Sequence, residues 1–201
     1  MANDAFGILD ELDINQAHIV GASLGGMIAQ TMAIEQPDRV LSLTSIMSAT
    51  GTREVMDIPE DSLALLLAPT PTERSAYIAY SAEYAIWSSK RYFDLQLAQE
   101  HAAVSFDRCN YPDGAGRQIA AMLASGDREP HLAKLKVPTL VIHGRDDRLV
   151  LPALGARTAD VIPRSNYLLV SDMGHDLPEP LWPVVIDAIH SHMRSSSVIA
   201  G

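Results

Sequence analysis

The sequence predicts an α/β protein built on a mostly parallel sheet of about four strands, with helices on both faces. Three observations predict it. Short apolar runs alternate with stretches of helical periodicity toward both ends of the chain. Those runs are almost free of polar residues, as in strands covered on both faces. Between them, from Thr52 to about Ala133, strand-like runs vanish and helical patterns take over, which reads as an all-helical insertion.

Each element has its own signal. Ala5 to Leu12 places Phe6, Ile8, Leu9 and Leu12 at roughly helical spacing, and Asn3 or Asp4 is a suitable cap. Ala17 to Ala22 is a short apolar strand. Leu24 to about Glu35 is a helix that stops before Pro37, and Val40 to Met47 is a second strand. Ser48-Ala49-Thr50-Gly51 reads as a loop. Helical patterns then cover Asp61 to Leu67, Thr72 to Trp87, Tyr92 to Phe106 and Gly116 to Leu123, with turn signals at Pro59, Pro69-Thr70-Pro71 and Pro112-Asp113-Gly114. The sheet resumes with Val137 to Gly144. Pro152 to Asp160 is a helix and Tyr167 to Val170 a strand. Pro180 to Met193 is a closing helix with Trp182, Val185, Ile186 and Ile189 on one face. The domain expectation is therefore a core of residues 1–51 and 134–201, interrupted by a helical cap over 52–133.

Composition excludes several classes of function. Of 201 residues, 47% are apolar and 20% charged, an ordinary globular balance. The net charge of −10 argues against nucleic acid or an anionic membrane as a partner, since both require a basic face. A single cysteine, Cys109, allows neither a disulfide framework nor a metal cluster, and points to a cytoplasmic setting. No basic leader and no apolar run of membrane-spanning length stands in the sequence. No cofactor or metal is expected.

The chemistry begins at Gly21-Ala22-Ser23-Leu24-Gly25. Gly-x-Ser-x-Gly is a short pattern, and its context makes it informative. An apolar strand runs into Gly21 and a helix leaves from Leu24, the strand–turn–helix setting of a nucleophile elbow. The flanking glycines, Gly21 and Gly25, are expected to leave room for a turn too tight for Cβ atoms. The turn presents the Ser23 hydroxyl at the carboxyl end of the strand, where open α/β sheets place ligands. The backbone N–H of Leu24, at the helix N-terminus, is a candidate oxyanion donor. The alternative is a glycine-rich turn with an incidental serine.

A serine needs a base, and the base an orienting carboxylate. Of seven histidines, His175 alone follows a late strand in a glycine-marked loop, Ser171-Asp172-Met173-Gly174-His175, where Gly174 is expected to free the backbone. His143 ends a strand and reads as lining the floor of the site. The acid is expected on Gly144-Arg145-Asp146-Asp147-Arg148, with Asp147 preferred and Asp146 the alternative. The loop after the second strand holds no carboxylate. The stripe Tyr77, Tyr80, Tyr84, Trp87, Tyr92 and Phe93 is read as internal packing in preference to a substrate cage.

Three segments together resemble the α/β-hydrolase superfamily: His18 to Met27, Val137 to Pro152 with its Gly-Arg-Asp-Asp, and Gly174-His175-Asp176-Leu177-Pro178. The stretch from Phe106-Asp107-Arg108-Cys109 to Ala124-Ser125-Gly126-Asp127-Arg128 is similar to bacterial esterase-like members of the aclacinomycin methylesterase type. The resemblance implies an α/β-hydrolase fold and a cap over the active site. It implies a serine hydrolase acting on a small-molecule ester with Ser23, His175 and Asp147. The chain departs from the family at its start. Members carry about four strands and a helix ahead of the nucleophile strand, whereas only ~16 residues precede it here. The expectation is an N-terminally truncated sheet with half of the oxyanion hole missing, from a shortened reading frame, a gene fragment or a late start. An unpaired edge strand would then invite a homodimer. Two other functions stay open: a catalytically impaired binding module, and the same three residues used for acyl transfer, perhydrolysis or C–C bond hydrolysis.

Overall fold

A computed structural model describes residues 1–51 and 58–199. Four strands, β1 (Ala17–Ala22), β2 (Val40–Ile46), β3 (Thr139–Gly144) and β4 (Asn166–Val170), form one sheet in sequence order, and every pair is parallel. Parallel neighbours need crossover connections, and helices supply them. Helix α1 (Ala2–Glu11) precedes β1, and α2 (Leu24–Glu35) links β1 to β2. Between β2 and β3 lie α3 (Glu60–Leu67), α4 (Arg74–Tyr80), α5 (Leu95–Arg108), α6 (Asp113–Ser125) and α7 (Glu129–Leu132). Helix α8 (Pro152–Val161) joins β3 to β4, and α9 (Trp182–Ile199) closes the chain.

Apolar clusters cover the sheet on both sides. Ala29 and Ala33 of α2, Leu132 of α7 and Ile162 pack with Val40 and Leu43. Val185 of α9 packs with Ile46, Leu140, Ile142, Val170 and Met173. A third cluster lies at the carboxyl ends of the strands. There Met27, Ala49, Leu149, Val150 and Leu154 meet Trp87 from the helical segment between β2 and β3. At ~25 cal/mol per Å² of apolar surface, burial on this scale is the main term holding the layers together.

Several elements differ from expectation for identifiable reasons. β1 is not covered on both faces: Gly21 alone is fully buried and Val20 is 43% exposed, because β1 forms the sheet edge. Helix α1 starts at Ala2, so Asn3 and Asp4 lie in its first turn and do not cap it. There the Asp4 charge suits the positive end of the helix. Met47 takes a left-handed φ of 42° and ends β2 one residue early. The pattern from Thr72 to Trp87 splits into α4 and a 3₁₀ turn, Ser81–Ile86. α5 begins at Leu95 because the Asp94 side chain accepts from the Leu97 N–H as its N-cap. The buried face of α9 runs through Val185, Ala188 and Ile189, leaving Trp182 and Ile186 about half exposed. The expected start of the helical insertion at Thr52 lies outside the described residues.

Arg128 is buried where α6 meets α7. Its Nε donates to Gln30 Oε1 at 3.1 Å, and its other nitrogens donate to Ser125 Oγ and the Ala49 carbonyl, both at 3.0 Å. The guanidinium therefore ties α2, the loop after β2 and α6 together, and burial lowers its pKa. Replacing Arg128 by Met leaves the Gln30 and Ala49 acceptors unsatisfied, which is expected to cost about 2–4 kcal/mol. Urea unfolding would show this as a lower midpoint at unchanged slope. Arg128→Lys is expected to recover little, since one ammonium cannot span three acceptors fixed around a planar fork.

Candidate active site

The strand–turn–helix at Ser23 is strained. Its φ of 53° and ψ of −121° lie where side chains with a Cβ are rare. Close packing on every side holds it there. A Cβ on Gly21 would stand 2.1 Å from the Gly25 carbonyl oxygen, so that position requires glycine. Gly26 is needed for the same kind of reason, because a Cβ there would meet the Ser48 side chain at 2.5 Å. Gly25 differs from expectation. A Cβ built on it meets nothing within 4 Å, so the space it was expected to provide is provided by Gly21 and Gly26. The Ser23 N–H donates to the Ile46 carbonyl at 2.9 Å, and Ser48 Oγ donates to the Ser23 carbonyl at 2.8 Å. Leu24 is the first residue of α2, where backbone N–H groups lack intrahelical acceptors.

The side chains singled out in three separate loops converge. His175 Nε2 lies 2.8 Å from Ser23 Oγ, and His175 Nδ1 lies 2.8 Å from Asp147 Oδ2. A carboxylate only accepts, so the Nδ1–H points to Asp147 and the Nε2 lone pair is left for the serine O–H. Asp147, not Asp146, receives this bond. Asp146 instead fixes the loop, its backbone N–H donating to the Met173 carbonyl at 2.9 Å. Asp147 is buried and nearly saturated. Its Oδ1 accepts from the Leu149 and Val150 N–H groups at 2.9 and 2.8 Å. Burial alone would raise its pKa. Hydrogen bonds from His143 and His175, and their charge, outweigh burial and hold the carboxyl below its ordinary value.

His143, expected on the floor of the site, lies beneath the acid. It is fully buried, with Nε2 2.8 Å from the Val150 carbonyl oxygen and 3.4 Å from Asp147 Oδ2. Its spacing of four residues from Asp147 was the only sequence signal for this contact.

Sequence reasoning missed the clamp on the His175 loop. The His175 N–H donates to the Trp87 carbonyl at 2.6 Å. Asp176 accepts from the Ser89 N–H at 2.9 Å and from the Gly174 N–H at 3.1 Å. Burial raises the Asp176 pKa, and these two bonds only partly offset it. Gly174 acts through close approach: a Cβ there would fall 2.4 Å from the Trp87 carbonyl oxygen. Its backbone is not in the left-handed region, so the expected conformational freedom is not what it contributes.

A cavity of about 310 Å³ opens above Ser23. Leu24, Met27, Leu65, Leu66, Met122 and Leu149 supply apolar walls, and Tyr80, Tyr84 and Trp87 close it from the helical segment. Those rings also pack on one another. Tyr84 stacks on Trp87 at 5.6 Å and meets Tyr80 edge-on at 5.8 Å. The aromatic stripe therefore lines a cavity as well as packing internally. Among the described residues the lining holds no charged side chain. No group of His, Cys, Asp and Glu among the described residues is arranged to hold a metal ion.

Two expectations follow. Gly21→Ala should destabilise the fold by at least about 3 kcal/mol through backbone overlap, while Gly25→Ala should stay within about 1 kcal/mol. Paired thermal or urea melts would separate them. The lowered Asp147 pKa contributes stability that is present above the unfolded value near 3.8 and lost as pH falls through the folded value. Asp147→Asn should therefore flatten the acid limb of stability below about pH 4, read from urea midpoints across pH.

The chain is similar to known proteins over most of its length. Residues 1–68 match the family model described as alpha/beta hydrolase fold. Rhodomycin D methylesterase DauP of Streptomyces sp. (strain C5) is 25% identical over 98% of this chain and 74% of its own length. A 2-hydroxy-6-oxononadienedioate/2-hydroxy-6-oxononatrienedioate hydrolase of Cupriavidus pinatubonensis is 30% identical over 84% of this chain, which spans only 59% of that protein. The solved meta-cleavage product hydrolase of Pseudomonas fluorescens IP01 superposes with a TM-score of 0.72 at 22% identity, covering all of this chain and 71% of that one. The described residues contain no helix long and apolar enough to cross a membrane. With a parallel sheet of matching fold, the chain has the α/β-hydrolase fold, and the relatives it is similar to are hydrolases.

Proposed function

We propose that the protein is a serine hydrolase that cleaves a carboxylic ester through an acyl-enzyme. The observation that carries this reading is the unbroken hydrogen-bonded relay from Ser23 Oγ through His175 to the buried Asp147. In the proposed reaction Ser23 attacks the ester carbonyl while His175 Nε2 takes the hydroxyl proton. Asp147 keeps the Nδ1 proton in place and stabilises the imidazolium. The Leu24 N–H donates to the developing oxyanion. His175 then returns its proton to the leaving alkoxide. Water, deprotonated by the same imidazole, attacks the acyl carbonyl; the bond to Ser23 Oγ breaks, His175 returns the proton to Oγ, and the acid is released. In this reading the helical segment expected over 52–133 is a cap, and its described residues wall the substrate cavity.

C–C bond hydrolysis is the second reading, favoured by the relatives that act on 2-hydroxy-6-oxo dioates. The uncharged lining of the cavity among the described residues supports the ester reading over it. A dianionic substrate placed there would lose hydration without gaining a cationic partner.

The test is labelling by a fluorophosphonate probe together with turnover of p-nitrophenyl butyrate. Ser23→Ala is expected to abolish both. His175→Gln and Asp147→Asn should each lower kcat by about 10³–10⁴-fold with little change in KM. Folded protein with neither labelling nor turnover would sink the proposal.

A further inference from the structure

The helical segment between β2 and β3 contributes walls to two cavities. Besides the one above Ser23, a second of about 400 Å³ borders the 3₁₀ turn 81–86 at Ser81 and Tyr84. Tyr77, Tyr92, Phe93 and Trp182 give it aromatic walls, and Ala98 of α5 is part of its lining. Tyr84 is the one described residue that borders both cavities.

We propose that Tyr84 is a specificity-determining residue: its ring separates the substrate cavity from the second one, a latent subsite that the far end of an elongated, uncharged apolar ester reaches only when the ring is removed. The inference rests on the ester-hydrolase reading and extends it. Three arguments support it. The first cavity alone is at the small end of the range for ligand pockets, about 300–1,000 Å³. Opening the wall at Tyr84 would bring the pair toward the middle of that range. Tyr84 is also a wall held by its neighbours: its ring is stacked on Trp87 and crossed by Tyr80, and its carbonyl accepts from the Ser88 hydroxyl at 2.8 Å. Finally, the charge around the second cavity selects against anions. Three carboxyl groups, Asp94, Asp176 and Glu179, line it against the imidazole of His101, so a carboxylate-ended tail would be repelled while the aromatic walls favour a neutral one.

Removing the ring is a fair probe of the wall, because Tyr84 is 36% exposed and its truncation empties no sealed core. The experiment compares kcat/KM for p-nitrophenyl dodecanoate and p-nitrophenyl butyrate in the native chain and in Tyr84→Ala. The dodecanoate-to-butyrate ratio is expected to rise by about 10-fold or more in Tyr84→Ala, the scale on which pocket shape discriminates apolar groups. Tyr84→Phe, which keeps the ring, should retain the native ratio. Ala98→Phe added to Tyr84→Ala fills the second cavity and should take the gain back. Should Tyr84→Ala fail to fold, Tyr84→Leu is read in its place with the same expectation. An unchanged ratio in a variant that a fluorophosphonate still labels at Ser23 would overturn the subsite alone, as would a gain that survives Ala98→Phe. Loss of labelling in the native chain would overturn the hydrolase reading, and the subsite with it.

Discussion

The backbone of Ser23 is held in a conformation that costs of order 1–3 kcal/mol, and much of the molecule is arranged to hold it there. β1 and β2 pair in parallel up to Ala22 and Ile46, and the Ile46 carbonyl takes the Ser23 N–H one residue beyond the last pair. Ser48 then fixes the Ser23 carbonyl from the loop that follows β2. That loop is in turn bound through the Ala49 carbonyl to Arg128. The strain at one serine is thus balanced by contacts reaching from β1 to α7.

A second consequence of the sheet is the convergence of the three side chains. Parallel strands all end on one edge, so loops far apart in sequence meet there. Ser23 follows β1, Asp147 follows β3 and His175 follows β4. The acid is held independently of the base: the Leu149 and Val150 N–H groups bind one oxygen of Asp147 and leave the other for His175. Its position is set by its own loop, with His143 below it as a fixed support.

Much of this was legible in the sequence because it depends on local rules. The strand into Gly21 and the helix from Leu24 follow from an apolar run, two glycines and a change of period. Its place after a late strand singled out His175, and the loop after the preceding strand held the acid, because the fold brings the ends of successive strands together; which of Asp146 and Asp147 meets the imidazole is decided by the Leu149 and Val150 N–H groups that hold Asp147. Other features depend on tertiary contacts that no local pattern encodes. Gly25 looks equivalent to Gly21 in the motif, yet only the crossing of strand and helix decides which of them is crowded. The exposure of β1 depends on its place in the sheet, not on its composition. Trp182 has the spacing of a core residue and turns outward, because α9 meets the sheet through Val185 and Ile189. Asp176 gives no local sign of its role, because one of its two partners, Ser89, lies 87 residues away in sequence.

That last contact links base and cavity. Trp87 presents its ring to the cavity above Ser23 and its carbonyl to the His175 N–H. Two residues on, the Ser89 N–H is held by Asp176, and Gly174 lies against the backbone between them with no room for a side chain. A displacement of this short stretch would therefore move the wall that faces the substrate and the loop that carries the imidazole together. The 2.8 Å spacing between His175 Nε2 and Ser23 Oγ is sensitive to such shifts, because proton transfer requires hydrogen-bond distance. The helical segment accordingly does more than cover the sheet. By gripping the His175 loop through main-chain bonds, it couples the shape of the cavity to the alignment of the base, so packing changes among Tyr80, Tyr84 and Trp87 reach the relay without touching any of its three side chains.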